Sequence, residues 1–179
     1  MKKLLLICLI CCCQSLMAQE KMMTKTGKIT FEGSVPSFEE VKATNNGVTC
    51  ILNTKTGEIA SLALTKGFRF KIALMEEHFN ENYMESDKYP KATFKGKIEN
   101  FDLKTLTEAY KNFTLKGKLE LHGKSKEITT TAKMRKTDAG IEIISDFSVN
   151  ASDFNIKIPA VVKKKVSNTI DIQTAFVLK

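Results

Sequence analysis

The sequence predicts an all-β fold, an antiparallel up-and-down β-barrel of about eight strands with one short helix, residues 73–84, over an end. Three observations carry this. From Gly27 onward, apolar residues recur mostly at every second position, which gives each stretch one inward and one wetted face. Short turn-forming clusters separate these stretches, as consecutive hairpins require. Only one segment changes from a period of two to the spacing of a helix.

In chain order, "KITFEGSV" offers Ile29, Phe31 and Val35, and "GVTCILN" offers Val48, Cys50 and Leu52. The turn "TKTG" leads into "EIASLALTKGFRFKI", where Leu62, Leu64, Phe68, Phe70 and Ile72 share even parity across a bend at Lys66 and Gly67. Residues 73–84 follow, with Met75, Phe79 and Tyr83 four apart on one stripe, and with Glu76, Glu77 and Asn80 expected to face water. Pro90 bars the helix from the next strand and pushes Tyr89 toward extended geometry. Later strands place inward Phe94 and Ile98, then Phe113, Leu115, Leu119 and Leu121, then Ile128, Ala132 and Met134. "GIEIISDFSV" adds Ile141, Ile143, Phe147 and Val149, and the last strand adds Ile170, Ile172, Phe176 and Leu178. Between these two lies a long connection, residues 150–168, in which Ser152 and Asp153 start a turn that Pro159 limits.

The chain opens "MKKLLLICLICCCQSLMAQE", the charged, apolar and small-residue pattern of a secretory signal peptide, residues 1–18, cut near Ala18. Periplasmic or secreted localisation follows. Lipoprotein anchoring through one of Cys11 to Cys13 is the alternative, disfavoured because no small residue precedes those cysteines. Removal of the leader leaves residues 19–179 as one domain and takes away Lys2 and Lys3, so the net charge falls from +8 to +6. Four of five cysteines leave with it, and the survivor, Cys50, excludes an internal disulfide and reads as a small core hydrophobe.

Catalytic and metal chemistry find little support. There is no G-x-S-x-G, CxxC or HExxH. Glu81, three residues after His78, makes half of a dinuclear carboxylate motif that would have to occur twice, so His78 reads as an exposed helix-face residue. His122, at a hairpin turn, is likewise expected in solvent. No catalytic residue, cofactor or metal site is therefore assigned. "VKKKV", residues 162–166, reads as a solvated loop, with contact to anionic lipid or ligand at a barrel mouth, including transient contact with a membrane surface, as the other reading. Nucleic acid is excluded as a partner because the aromatics share the buried parity and leave no stacking platform.

Three stretches resemble the YceI-like family of bacterial periplasmic proteins: "LMEEHFNENYMESDKYPKATFKGKI", "LKGKLELHGKSKEITTTA" and "SDFSVNASDFNIKIP". The matching features are the helix Met75 to Tyr83, the Tyr89–Pro90 pair, Phe94, the turn at Leu119, Leu121 and Gly123, and the segment Asp153, Phe154, Asn155. The resemblance implies a lipocalin-like barrel and non-enzymatic binding or carriage of an apolar lipid-like ligand, a polyisoprenoid or isoprenoid quinone. Taken with strand parity, it makes Phe68, Phe70, Met75, Phe79, Phe94, Leu119, Phe147 and Phe154 the expected lining residues. The opening "TGKITFEGSVPSFEEVKATNNG" departs from longer members in lacking a histidine, which leaves a smaller, open or side-chain-filled pocket as options. A ligand-free barrel serving as a protein-interaction or stress-response module, and a lipid-modifying enzyme, are the competing functions. The oligomeric state, monomer or homodimer, is open at this stage.

Overall fold

The computed structural model describes residues 20–179, and the expected signal peptide lies outside the described residues. Nine strands form one antiparallel sheet: β1 (Lys21–Ser34), β2 (Lys42–Asn53), β3 (Glu58–Leu64), β4 (Arg69–Phe70), β5 (Lys91–Ile98), β6 (Lys111–Leu121), β7 (Lys124–Thr137), β8 (Gly140–Asn150) and β9 (Val166–Leu178). Their order is β1-β9-β8-β7-β6-β5-β3-β2-β4, and β1 also pairs with β2. That last pairing closes eight long strands into an up-and-down barrel. The two-residue β4 adds to β2 at the rim, with Ala43 opposite Phe70 and Thr44 opposite Arg69.

Alternation sets the interior. Val48, Cys50 and Leu52 are fully buried on β2, as are Ala132 and Met134 on β7 and Leu178 on β9. Together with Ile98, Phe113 and Ile141 they pack solidly across the half of the barrel that holds the β2–β3 and β7–β8 turns. At that end Asn53 caps its own turn, its side-chain oxygen accepting from the backbone N–H of Lys55 and Thr56, and Gly57 supplies the left-handed residue at φ +73°.

The parity expected for β3 is corrected. Ile59 and Ala63 are buried, whereas Leu64 is 52% exposed. A 3₁₀ turn at Thr65–Gly67 separates β3 from β4 and changes which alternate residues face inward, so Phe68 and Phe70 return to the interior on even numbers. The expected bend is present; the parity does not run through it, because a helical turn does not preserve a period of two.

The helix is also reshaped. An α-helix, α1 (Ala73–His78), continues into a π-helical turn over Phe79–Tyr83, which closes with Met84 N–H donating to the Phe79 carbonyl at 2.8 Å. Glu76 and Asn80 are half-buried rather than in water, and only Glu77 of the three faces solvent. One Glu76 oxygen pairs with Arg69 Nη1 at 2.9 Å and the other accepts from the Phe70 N–H at 3.1 Å, which clamps α1 to β4. Asn80 donates to the Glu76 carbonyl and accepts from Ser86 Oγ. Among the described residues no helix is long and apolar enough to cross a membrane.

Candidate ligand-binding cavity

Opposite the packed end, inward side chains stop short of one another and enclose a cavity of about 450 Å³. That falls within the usual range for small-molecule sites, about 300–1,000 Å³. Its mouth is formed by the β1–β2 loop, α1 with its π turn, and the β8–β9 connection, which contribute Phe38, Phe79 and Ile158 among others.

One wall is a four-ring cluster. Phe31 lies 5.2 Å from Phe68, 5.7 Å from Phe70 and 5.3 Å from Phe79 between ring centroids, and Phe70 lies 5.1 Å from Phe79. These spacings are those of favourable offset and edge-to-face aromatic pairs, so the wall holds its shape without a ligand. Across from it, Phe94 lies against two glycines that face one another on β5 and β6, Gly96 and Gly117. A Cβ at Gly117 would sit 2.7 Å from the ring's Cζ and 2.4 Å from the Lys95 carbonyl oxygen, so the absence of side chains there is what gives Phe94 its place.

Few polar groups reach the interior, and most of them are engaged, the Ser61 and Thr93 hydroxyls being the ones without a side-chain hydrogen bond. Ser145 Oγ donates to the Thr131 carbonyl at 2.9 Å, and Thr174 Oγ1 donates to the Ser145 carbonyl at 3.3 Å. Thr65 Oγ1 donates to the Tyr89 carbonyl at 3.0 Å. No buried side-chain N or O among the described residues lacks a partner. The ionisable lining residues, Glu39, His78, Tyr83 and Lys165, belong to the mouth elements. Cys50 is not among the lining residues, and burial pushes its thiol up to about 12, so it stays protonated as a small core hydrophobe. No group of three or more His, Cys, Asp or Glu suited to a metal is present among the described residues.

Of the eight residues expected to line a ligand, Phe68, Phe70, Met75, Phe79, Phe94, Leu119 and Phe147 border this cavity. Phe154 does not. It is fully buried behind the wall, against Leu119 and Val149. Its place follows from the 3₁₀ turn Ala151–Phe154, which tucks the ring beneath the chain before left-handed Asn155, φ +59°, redirects it. Phe31, Ile170 and Ile172 line the cavity as well and had the inward parity that could have selected them; Phe38, on a loop, had no such signal.

The YceI-like domain profile matches residues 18–178. The chain belongs to the YceI-like family. Among solved structures, a polyisoprenoid binding domain from Saccharophagus degradans implicated in plant cell wall breakdown is similar, with a TM-score of 0.74, 16% identity, and coverage of 89% of this chain and 96% of that one. Burkholderia cenocepacia BcnA follows at 0.69 and 14%, covering 85% and 94%. A Campylobacter jejuni YceI protein gives 0.63 and 17%, covering 81% and 87%. No curated protein matches significantly.

The segments that resemble the YceI-like family meet at one point near the mouth, and this corrects the expectation of an exposed His122. Its side chain is 8% exposed, with Nε2 2.9 Å from Glu85 Oε2 and Nδ1 3.0 Å from the Phe154 carbonyl. Its ring also lies 4.4 Å from that of Tyr89. Both ring nitrogens are therefore engaged. His122 thereby ties the β6–β7 turn to the helix exit and to the β8–β9 connection. Hairpin position alone suggested solvent; two other segments folding over the turn remove it.

Proposed function

We propose that this chain binds or carries an apolar, lipid-like molecule, a polyisoprenoid or isoprenoid quinone, without catalysing a reaction on it. The observation that carries the reading is the cavity: its wall is apolar, and most of its few interior hydroxyls, those of Thr65, Thr130, Ser145 and Thr174, are already bonded to one another or to backbone. Such a lining offers a hydrocarbon tail burial at ~25 cal/mol per Å², less the cost of ordering the ligand. It offers a polar substrate few free donors in the interior, the hydroxyls of Ser61 and Thr93. The similar Saccharophagus degradans structure is a polyisoprenoid binding domain, which supports the same class of ligand here.

The leader sequence supports action in the periplasm or outside the cell. Val161, 86% exposed, Leu74, 57%, and Phe38, 47%, sit on the three mouth elements and support transient contact with a membrane surface during loading.

Native mass spectrometry of the mature protein from its natural compartment, followed by solvent extraction, tests this. A stoichiometric long-chain adduct, lost on Phe79→Asp or Phe94→Asp, is expected. A clean unliganded mass with no uptake of added isoprenoids would sink the proposal and favour an interaction module.

A further inference from the structure

The cavity wall is not apolar all the way down, and this bears on what the inner end of a bound lipid carries, an inference that rests on the lipid-binding reading above. On β3, β8 and β9 the deepest lining residues are Ile59, Ile143 and Phe176, which also belong to the packed core. The next inward residue toward the mouth carries a hydroxyl on each of these strands: Ser61, Ser145 and Thr174. On β7 the core ends with Ala132, and Thr130 is the deepest lining residue. Nearer the mouth the lining of the same strands returns to Ala63, Ile128, Phe147 and Ile172. A band of hydroxyls thus separates an apolar floor from an apolar wall, where burying polar groups is costly unless they are bonded.

The band has two unlike sides. Thr130, Ser145 and Thr174 sit together on the neighbouring strands β7, β8 and β9, with Ser145 opposite Thr174 in the ladder and Thr130 Oγ1 3.3 Å from Ser145 Oγ. Thr130 donates to the Asp146 carbonyl at 3.2 Å, Ser145 to the Thr131 carbonyl and Thr174 to the Ser145 carbonyl. With those protons committed to backbone, the three oxygens keep acceptor capacity. Ser61 is on the far wall, because β3 and β8 are four strands apart whichever way the closed ring is followed. Its hydroxyl has no hydrogen bond among the described residues. Thr93, the other unbonded hydroxyl, is on β5 to the mouth side of Phe94. Ser61 is therefore the free donor of the band.

Three kinds of chain end can be compared against this band. A hydrocarbon end seated there leaves the Ser61 hydroxyl without a partner, which costs free energy. An ionised end meets no opposite charge, since the ionisable lining residues belong to the mouth elements. A hydroxyl end can accept from Ser61 or donate to the oxygens opposite.

We infer that the barrel selects a lipid whose inner end carries an uncharged hydroxyl, and that Ser61 is the residue that reads it. Two ligands supply that chemistry: an isoprenoid alcohol that enters hydroxyl-first, and a chain hydroxylated at the end far from its head group.

Displacement of a fluorescent apolar probe from delipidated wild-type and Ser61→Ala protein tests this, with two matched pairs of competitors: farnesol and the hydrocarbon farnesene, and ω-hydroxylauric and lauric acids. In at least one pair, the affinity of the hydroxylated member relative to its partner should fall about three- to tenfold in Ser61→Ala, the worth of one hydrogen bond. A fall in the farnesol pair identifies an alcohol bound hydroxyl-first; a fall in the lauric pair identifies a chain hydroxylated at its far end. Ser61→Thr should hold the ratio and Ser61→Val, of similar shape without the hydroxyl, should lower it, which separates hydrogen bonding from volume. Ratios that are the same in wild type, Ser61→Ala and Ser61→Val overturn the inference while leaving lipid carriage intact. Failure of every compound to displace the probe from wild-type protein defeats lipid carriage itself.

Discussion

Glu85 Oε2 lies 2.9 Å from His122 Nε2, and this contact joins the exit of the helix to the β6–β7 turn at the barrel mouth. Both residues adopt left-handed backbone, φ +45° and +50°, a conformation that costs a non-glycine residue free energy unless its surroundings hold it. The bond from His122 to the Phe154 carbonyl extends the tie to the β8–β9 connection.

His122→Ala should therefore destabilise the protein by about 1–3 kcal/mol, because it strips the buried Phe154 carbonyl of its donor as well as removing the ring. Glu85→Gln should cost about 1 kcal/mol or less, since that carboxylate is 42% exposed and water screens the pair. Urea titrations compare the two. Equal effects would contradict the assignment of His122 as the hub.

The clamp between α1 and β4 makes a separate prediction. Glu76→Ala removes the acceptor for the Phe70 N–H and the partner of Arg69. Amide exchange at Phe70 should accelerate, and bound lipid should leave faster, with a stability loss of about 1 kcal/mol. Unchanged exchange would show that α1 is held by its apolar stripe alone.

Gly117→Ala should destabilise by about 1–3 kcal/mol and weaken lipid uptake together. The new Cβ would meet the Lys95 carbonyl at 2.4 Å and Gly96 Cα at 2.5 Å, backbone atoms that cannot rotate away. Phe94 must then move into the cavity, and a chemical denaturation curve paired with a ligand titration registers both effects.

Cys50 links stability to alkaline pH. Burial raises its thiol from 9.0 to about 12 in the folded state, so folding favours the protonated form. The associated stability is fully present below the unfolded value and is lost as pH rises from there through about 12, at up to ~1.4 kcal/mol per pH unit. Lysines and tyrosines titrate in the same window. The comparison is therefore between wild type and Cys50→Ala, whose stability should fall less steeply there.

The family resemblance and the barrel were legible because local pattern and global fold agree. Val48, Cys50 and Leu52 on β2, and Ile141, Ile143, Phe147 and Val149 on β8, alternate with outward residues, and a strand with one buried face leaves little freedom of register. Met75, Phe79 and Tyr83 were legible as a stripe for the same reason, although the π turn that completes it was not. Where a short helical turn interrupts a strand, as at Thr65–Gly67, counting by twos fails, and Leu64 went to solvent.

By itself the sequence determined the strand alternation, the helix that covers one end and the membership of the YceI-like family, since each depends on residues near one another along the chain. Only the tertiary structure decided that Phe154 lies behind the wall, that Glu76, Asn80 and His122 hold the mouth together, and how much empty space remains above Ile143. These depend on which distant segments meet, and a cavity is the volume their side chains fail to fill, a property of no single stretch of chain.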